Sequence, residues 1–193
     1  MENYTYIRAA DTAKLIRAQL KKHFPTYKFW VRSRTYSGGA SIDIDWVDGV
    51  TTEQVDKIVK PFSGAGFDGM NDYKTHNKAY LLPDGSAAFA EIERYNDDNL
   101  KFEAPTGAQL VRFGADFIFT HRYYTPEKAK PIVKRVCDGY GKPEPKYYES
   151  HPFFGAKPNL AVTVLGWDCL SPEWGNLDQH INRAIRDALN VEL

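Results

Sequence analysis

Residues 27–46 alternate apolar and polar side chains on both sides of Ser37-Gly38-Gly39, and this period of two commits the segment to a β-hairpin. Tyr27, Phe29 and Val31 alternate with Lys28, Trp30 and Arg32. Beyond the turn, Ile42, Ile44 and Trp46 alternate with Asp43 and Asp45. Successive side chains of a strand point to opposite faces, so one face of this ribbon is apolar and the other carries ions and rings.

Helices are expected on both flanks of the hairpin. Asp11 or Thr12 offers an oxygen to the free amides of an opening turn, Ala13, Ile16, Leu20 and Phe24 follow at helical spacing, and Pro25 ends the run. After Asp48-Gly49, Thr51-Thr52-Glu53-Gln54 supplies a capped start for a second helix with Val55, Ile58, Val59 and Phe62 facing inward. Ser63-Gly64 stops it. The middle is weaker in pattern: residues 79–82 and 87–92 read as strands about Pro83-Asp84-Gly85, with exposed connections at residues 96–99 and 105–107.

Phe117-Ile118-Phe119 reads as a short apolar strand, and Thr125-Pro126-Glu127 starts a helix that buries Ile132, Val133 and Val136. Pro131 leaves a kink or a later start open. Strands at residues 146–149 and 160–165 and a final helix over about residues 176–189 complete the chain. Ile181, Ala184, Ile185, Ala188 and Leu189 form that helix's apolar face. The expected fold class is α+β, mainly antiparallel sheet with helices packed on it. An N-terminal α+β unit is expected over residues 1–105 and a C-terminal one over residues 106–193, as one packed domain or two. Their shared element order, marked by Asp45-Trp46 and Trp167-Asp168, leaves a pair of βαββα-like halves open.

With 193 residues, 42% of them apolar, the chain is long enough to bury a real core. Basic and acidic residues balance at 25 each, which argues against long-range attraction to nucleic acid or lipid as the default. Charge is nevertheless uneven. Eight bases fall within residues 1–40 against Glu2 and Asp11, whereas Asp43, Asp45, Asp48, Glu53 and Asp56 precede the next base at Lys57. Cys137 and Cys169 match no zinc or redox spacing, the N-terminus lacks an apolar signal core, and no 18 apolar residues run together. A soluble, cytoplasmic protein is expected, without membrane contact, and its oligomeric state stays open.

Gly64, Gly66 and Gly69 spell a G-x-G-x-x-G, but they leave a helix instead of opening one, so the pyrophosphate-binding context is missing. Gly64 is expected to take a left-handed backbone after the helix end. Asp43 and Asp45, two apart on a strand, project from one face as a Mg²⁺ site would need, which is the metal alternative. The competing reading sets both acids against Lys28, Arg32 and Arg34 across the ribbon, where opposite charges stabilise an antiparallel pair by up to about 1 kcal/mol. His23, His76, His121, His151 and His180 lack metal-ligand spacing, neither cysteine shows a local cause for a lowered thiol pKa, and no cofactor is expected. The candidate binding residues are Trp30, Arg32, Arg34 and Tyr36 on the hairpin, with Arg122, Tyr123 and Tyr124 in a second basic-aromatic cluster.

Taken together, KLIRAQLKKHFP, FWVRSR, SIDIDWVDGVTTEQVDKIV and FSGAGFDGMNDYK resemble the large polyvalent protein-associated domain of the twenty-ninth type, over about residues 11–75. FIFTHRYYTPE with its following helix is similar to the region that often follows in such proteins. The resemblance implies a phage or plasmid polyvalent protein, one of the long chains that enter a cell with mobile DNA and protect it from host defences. It transfers no catalytic residue. The shorter length here leads to the expectation of a free-standing chain without large enzymatic neighbours. The leading expectation is a non-enzymatic accessory protein that binds and blocks a component of a bacterial defence system, of CRISPR or restriction type. A nucleic-acid-binding module is the alternative, and a metal-dependent phosphoryl or nucleotidyl transferase using Asp43 and Asp45 a further one.

Overall fold

The computed structural model describes residues 4–96, 98–143, 149–150, 164–165 and 179–192. The chain divides into two compact units, one of Met1–Ile44 with Thr52–His121 and one of Asp45–Thr51 with Arg122–Leu193. The class is α+β with mostly antiparallel sheet, as the patterning predicts.

Unit 1 opens with β1 (Thr5–Ile7) and α1 (Ala9–His23). The helix starts earlier than Asp11, and Arg8 at its cap position makes no side-chain cap. The expected capping oxygens are engaged elsewhere: the Asp11 carboxylate pairs with Arg8 at 3.1 Å and Lys14 at 2.8 Å, and Thr12 Oγ1 donates to Arg8 O at 3.1 Å. Asp11 thereby acts within the first turn, where a negative charge meets the positive end of the helix. Ala13, Ile16 and Leu20 are buried, and Phe24 leans on Phe29 with ring centroids 5.9 Å apart.

The expected hairpin forms as β2 (Phe29–Tyr36) and β3 (Gly39–Val47), turning at Ser37 and Gly38. β9 (Phe117–Tyr123) completes a three-stranded sheet in the order β2-β3-β9. Asp116 N donates to Ala40 O at the start of this pairing and Asp48 N to Tyr123 O at its end, each at 2.8 Å, so β3 and β9 run parallel. α2 (Thr52–Val59) and the 3-10 turn Lys60–Phe62 bury Val55, Val59 and Phe62, and Ser63 ends them. Thr120 Oγ1 donates to Asp56 at 2.8 Å and Lys60 Nζ to Ile118 O at 3.0 Å, which ties α2 and its turn to β9.

The second sheet takes the order β1-β8-β5-β6-β7, with β4 added to β5. Its strands are β4 (Ala65–Asp68), β5 (Tyr73–Leu81), β6 (Ala87–Ile92), β7 (Leu100–Lys101) and β8 (Gln109–Phe113). β6 and the turn before it stand where expected. β5 begins well before residue 79, and β4, β7 and β8 lie outside the strands that the patterning predicts. β1 pairs in parallel with β8, Tyr6 opposite Arg112.

Gly64 also differs from expectation, because its backbone is not left-handed. A Cβ there would stand 1.9 Å from Phe113 O, and Gly64 N donates to Ala115 O at 2.8 Å. The glycine allows close approach of two backbones, and the phosphate-loop spelling is incidental.

In unit 2, α3 (Pro126–Gly139) and α4 (Gln179–Glu192) bury Ile132, Val133, Cys137, Ile181, Ile185 and Leu189 in one apolar cluster. α3 starts where expected, with Pro131 inside it and exposed. Asp48 closes the helix start: its carboxylate accepts from Thr125 N at 3.0 Å and Thr125 Oγ1 at 2.8 Å. β10 (Glu149–Ser150) and β11 (Val164–Leu165) pair antiparallel, overlapping the two strands expected there. The remainder of those strands, the Trp167-Asp168 marker, His151 and Cys169 lie outside the described residues.

Candidate functional site

Strand alternation sorts the three-stranded sheet of unit 1 into a covered and an open face. Val31, Ile42, Ile44 and Ile118 are buried on the covered side, where Arg17 of α1 donates to Val31 O at 2.6 Å. Trp30, Arg32, Arg34 and Tyr36 occupy the opposite side of β2, and Asp43 lies beside them on β3. β9 adds Phe117, Phe119 and His121 to the same side by the same alternation. Tyr36 is 49% exposed and Phe119 47%, and the Arg34 side chain is 57% exposed. Burying such rings and a guanidinium beneath a partner gives large contact area at low conformational cost.

The electrostatics of this face centre on Asp43. Arg34 Nε stands 3.4 Å and His121 Nε2 4.0 Å from its two carboxylate oxygens. The expected ionic pairing across the ribbon is therefore present for Arg34 and Asp43. It does not extend to Asp45, which is buried and accepts from the Tyr123 hydroxyl at 3.5 Å. The parallel neighbour β9 supplies that hydroxyl, and no property of the hairpin alone foretells it. Arg32 Nε is buried without a hydrogen-bond partner, and Lys28 Nζ lies 4.8 Å from the Trp30 ring centroid. Among the described residues no three His, Cys, Asp or Glu side chains gather as a metal site. The two acids thus have different neighbours, Asp43 a guanidinium and an imidazole and Asp45 a phenol.

The second predicted cluster is divided by the strand that carries it. His121, Arg122 and Tyr123 belong to β9, so alternation sends His121 and Tyr123 to one face and Arg122 to the other. Arg122 is only 4% exposed and Tyr124 5%, so neither contributes to the exposed surface. The Arg122 guanidinium donates to Gly49 O, to Leu189 O at 3.5 Å and to Asn190 Oδ1 at 3.4 Å, and lies 5.0 Å from the Tyr124 ring centroid. It thereby places positive charge on the last turn of α4, where free carbonyls concentrate negative potential. The Tyr124 hydroxyl donates to Asn190 Oδ1 at 3.3 Å. Burial pushes the Tyr124 phenol pKa up, against the lowering influence of Arg122.

His23 and His76 stand on other elements, His180 is on α4, and Cys137 is buried in the unit 2 core. Sequence reasoning missed Phe117, Phe119 and His121 as open-face residues. The signal was available: Ile118 and Thr120 alternate with them, and the alternation runs to Tyr123 instead of stopping at Phe119.

Residues 7–125 match the family described as large polyvalent protein associated domain 29, a range that holds the whole open face. No curated protein and no solved structure matches the chain. Among the described residues no helix is long and apolar enough to cross a membrane.

Proposed function

Because the chain belongs to the large polyvalent protein associated domain 29 family, a family of phage or mobile-element polyvalent proteins, we propose that it is a non-enzymatic accessory protein that acts by binding. Its target is a component of a bacterial defence system, of CRISPR or restriction type, and it works in the host cytoplasm by occupying the surface that component needs. The observation that carries the reading is the open sheet face of unit 1, where Arg34 and Tyr36 of β2 and Phe119 of β9 share one side of the sheet with about half of each side chain exposed. Arginine and aromatic anchors of this kind supply most of the energy at protein interfaces.

The test is recovery of partners from a bacterial lysate with this protein as bait, at low and high salt. One stoichiometric protein, retained at high salt and lost on Arg34→Ala and Phe119→Ala, is the expected result. No recovery, or recovery indifferent to both substitutions, overturns it. The same face favours a second reading, a nucleic-acid-binding module, because rings beside cations stack on bases while the cations meet phosphates. Mixed nucleic acid released steeply by salt would put that reading first.

A further inference from the structure

We propose that unit 1 also contains a binding cleft for a phosphorylated nucleoside, either free or at the end of a single strand, next to the partner-binding face with Tyr36 at the border of the two. A cavity of about 600 Å³ opens between the start of α1, the β2-β3 turn, β5 and β8. That volume lies within the range that small-molecule sites use. The cations lining it are Arg8, Lys14, Lys74 and Arg112, and the carboxylates are Asp11 and Asp116. Asp11 is shared by Arg8 and Lys14, whereas Asp116 is held by Lys74 at 2.9 Å. Arg112 Nη2 meets His76 Nδ1 at 2.7 Å, a contact with an imidazole and not with a carboxylate. The lining thus keeps an excess of positive charge.

A phosphate dianion suits this arrangement, since a guanidinium presents parallel N–H donors and charge-assisted bonds are the strong ones. Two rings supply the second half of the recognition. Tyr6 is 59% exposed and Tyr36 49% exposed, and both line the cavity, where their faces are available to a base. The backbone makes room for Tyr6, because a Cβ on Gly114 would stand 2.3 Å from its hydroxyl. A nucleotide combines a doubly charged head with a flat aromatic base that can stack on such rings.

The probes are adenosine monophosphate, a short 5′-phosphorylated single strand and the same strand with a 5′-hydroxyl, titrated by calorimetry at low salt. Binding of either phosphorylated probe, at least about tenfold tighter than the hydroxyl strand, is expected from the loss of a charge-assisted contact. Arg112→Gln and the surface substitution Lys14→Gln should each weaken it by about tenfold, while Lys57→Gln, an exposed change on α2 away from the cavity, leaves it unchanged. The monophosphate binding alone identifies a free nucleotide, and the strand binding alone identifies a nucleic-acid end. Flat titrations with both, or binding indifferent to Arg112→Gln and Lys14→Gln, overturn the proposal. Because Arg34 and Phe119 do not line the cavity, failure here is distinguishable from failure of the partner-binding reading.

Discussion

Residues 30–36 and 121–124 draw on the same basic and aromatic side-chain types, yet one stretch presents them to solvent and the other splits them between two faces. β2 is at the edge of its sheet with α1 against one side, so Arg34 and Tyr36 remain exposed. At the end of β9, Arg122 turns inward and its guanidinium holds Gly49, Leu189 and Asn190 together. The difference teaches that an arginine's role follows from what covers its side of the strand. On the edge it remains available to a partner, whereas inside it replaces a partner with backbone carbonyls.

The sharpest way to break this contrast is to remove each arginine in turn. Arg122→Met should lower unfolding stability by about 2–3 kcal/mol, since it strips a buried charged donor from several acceptors. Arg34→Met should stay within about 0.5 kcal/mol of the parent, as exposed ion pairs usually do. Urea unfolding measures both, and equal losses would erase the distinction between edge and interior.

Binding should invert that order. Arg34→Ala and Phe119→Ala are each expected to weaken partner capture by about tenfold, the scale of a contributing interface residue, while leaving the unfolding midpoint close to the parent value. A variant that keeps full capture removes its side chain from the contact surface.

A pH series sharpens the interior half of the comparison. The folded pKa of Tyr124 is raised by burial, so its contribution to stability is fully present below the ordinary phenol value of about 10 and is lost as pH rises through the folded pKa. Tyr124→Phe should flatten the loss of stability in that alkaline window. An unchanged slope in the variant would assign the loss to other groups.

A small effect is also expected at Asp43, between Arg34 and His121 on the open face. Asp43→Asn should change stability by less than about 1 kcal/mol, and calorimetry with Mg²⁺ should give no heat that the substitution abolishes. Heat lost in the variant would restore the metal alternative.

Much of the architecture was legible because it rests on local periodicity. Ile42, Ile44 and Trp46 declared a strand, and Val55 with Val59 a helix, through spacing that any burial partner would reward. The open face is half legible: its β2 residues can be named, whereas Phe119 and His121 join it only when the alternation is carried past the apolar triplet Phe117-Ile118-Phe119 to Tyr123. β1, β4 and β8 escaped notice since each is short and gains its regularity only by pairing, Tyr6 with Arg112 or Gly66 with Thr75.

By itself the sequence determined the helices and the most regular strands, where the first hairpin turns, and that one side of it must be polar, because those outcomes follow from side-chain spacing along a single element. Only the tertiary structure decided that Asp45 meets Tyr123, that Arg122 is interior, and that Arg8, Lys14 and Arg112 surround one cavity. Those results depend on which strand lies beside which and on what covers it. Such pairings join residues far apart in the chain, and no local pattern encodes them.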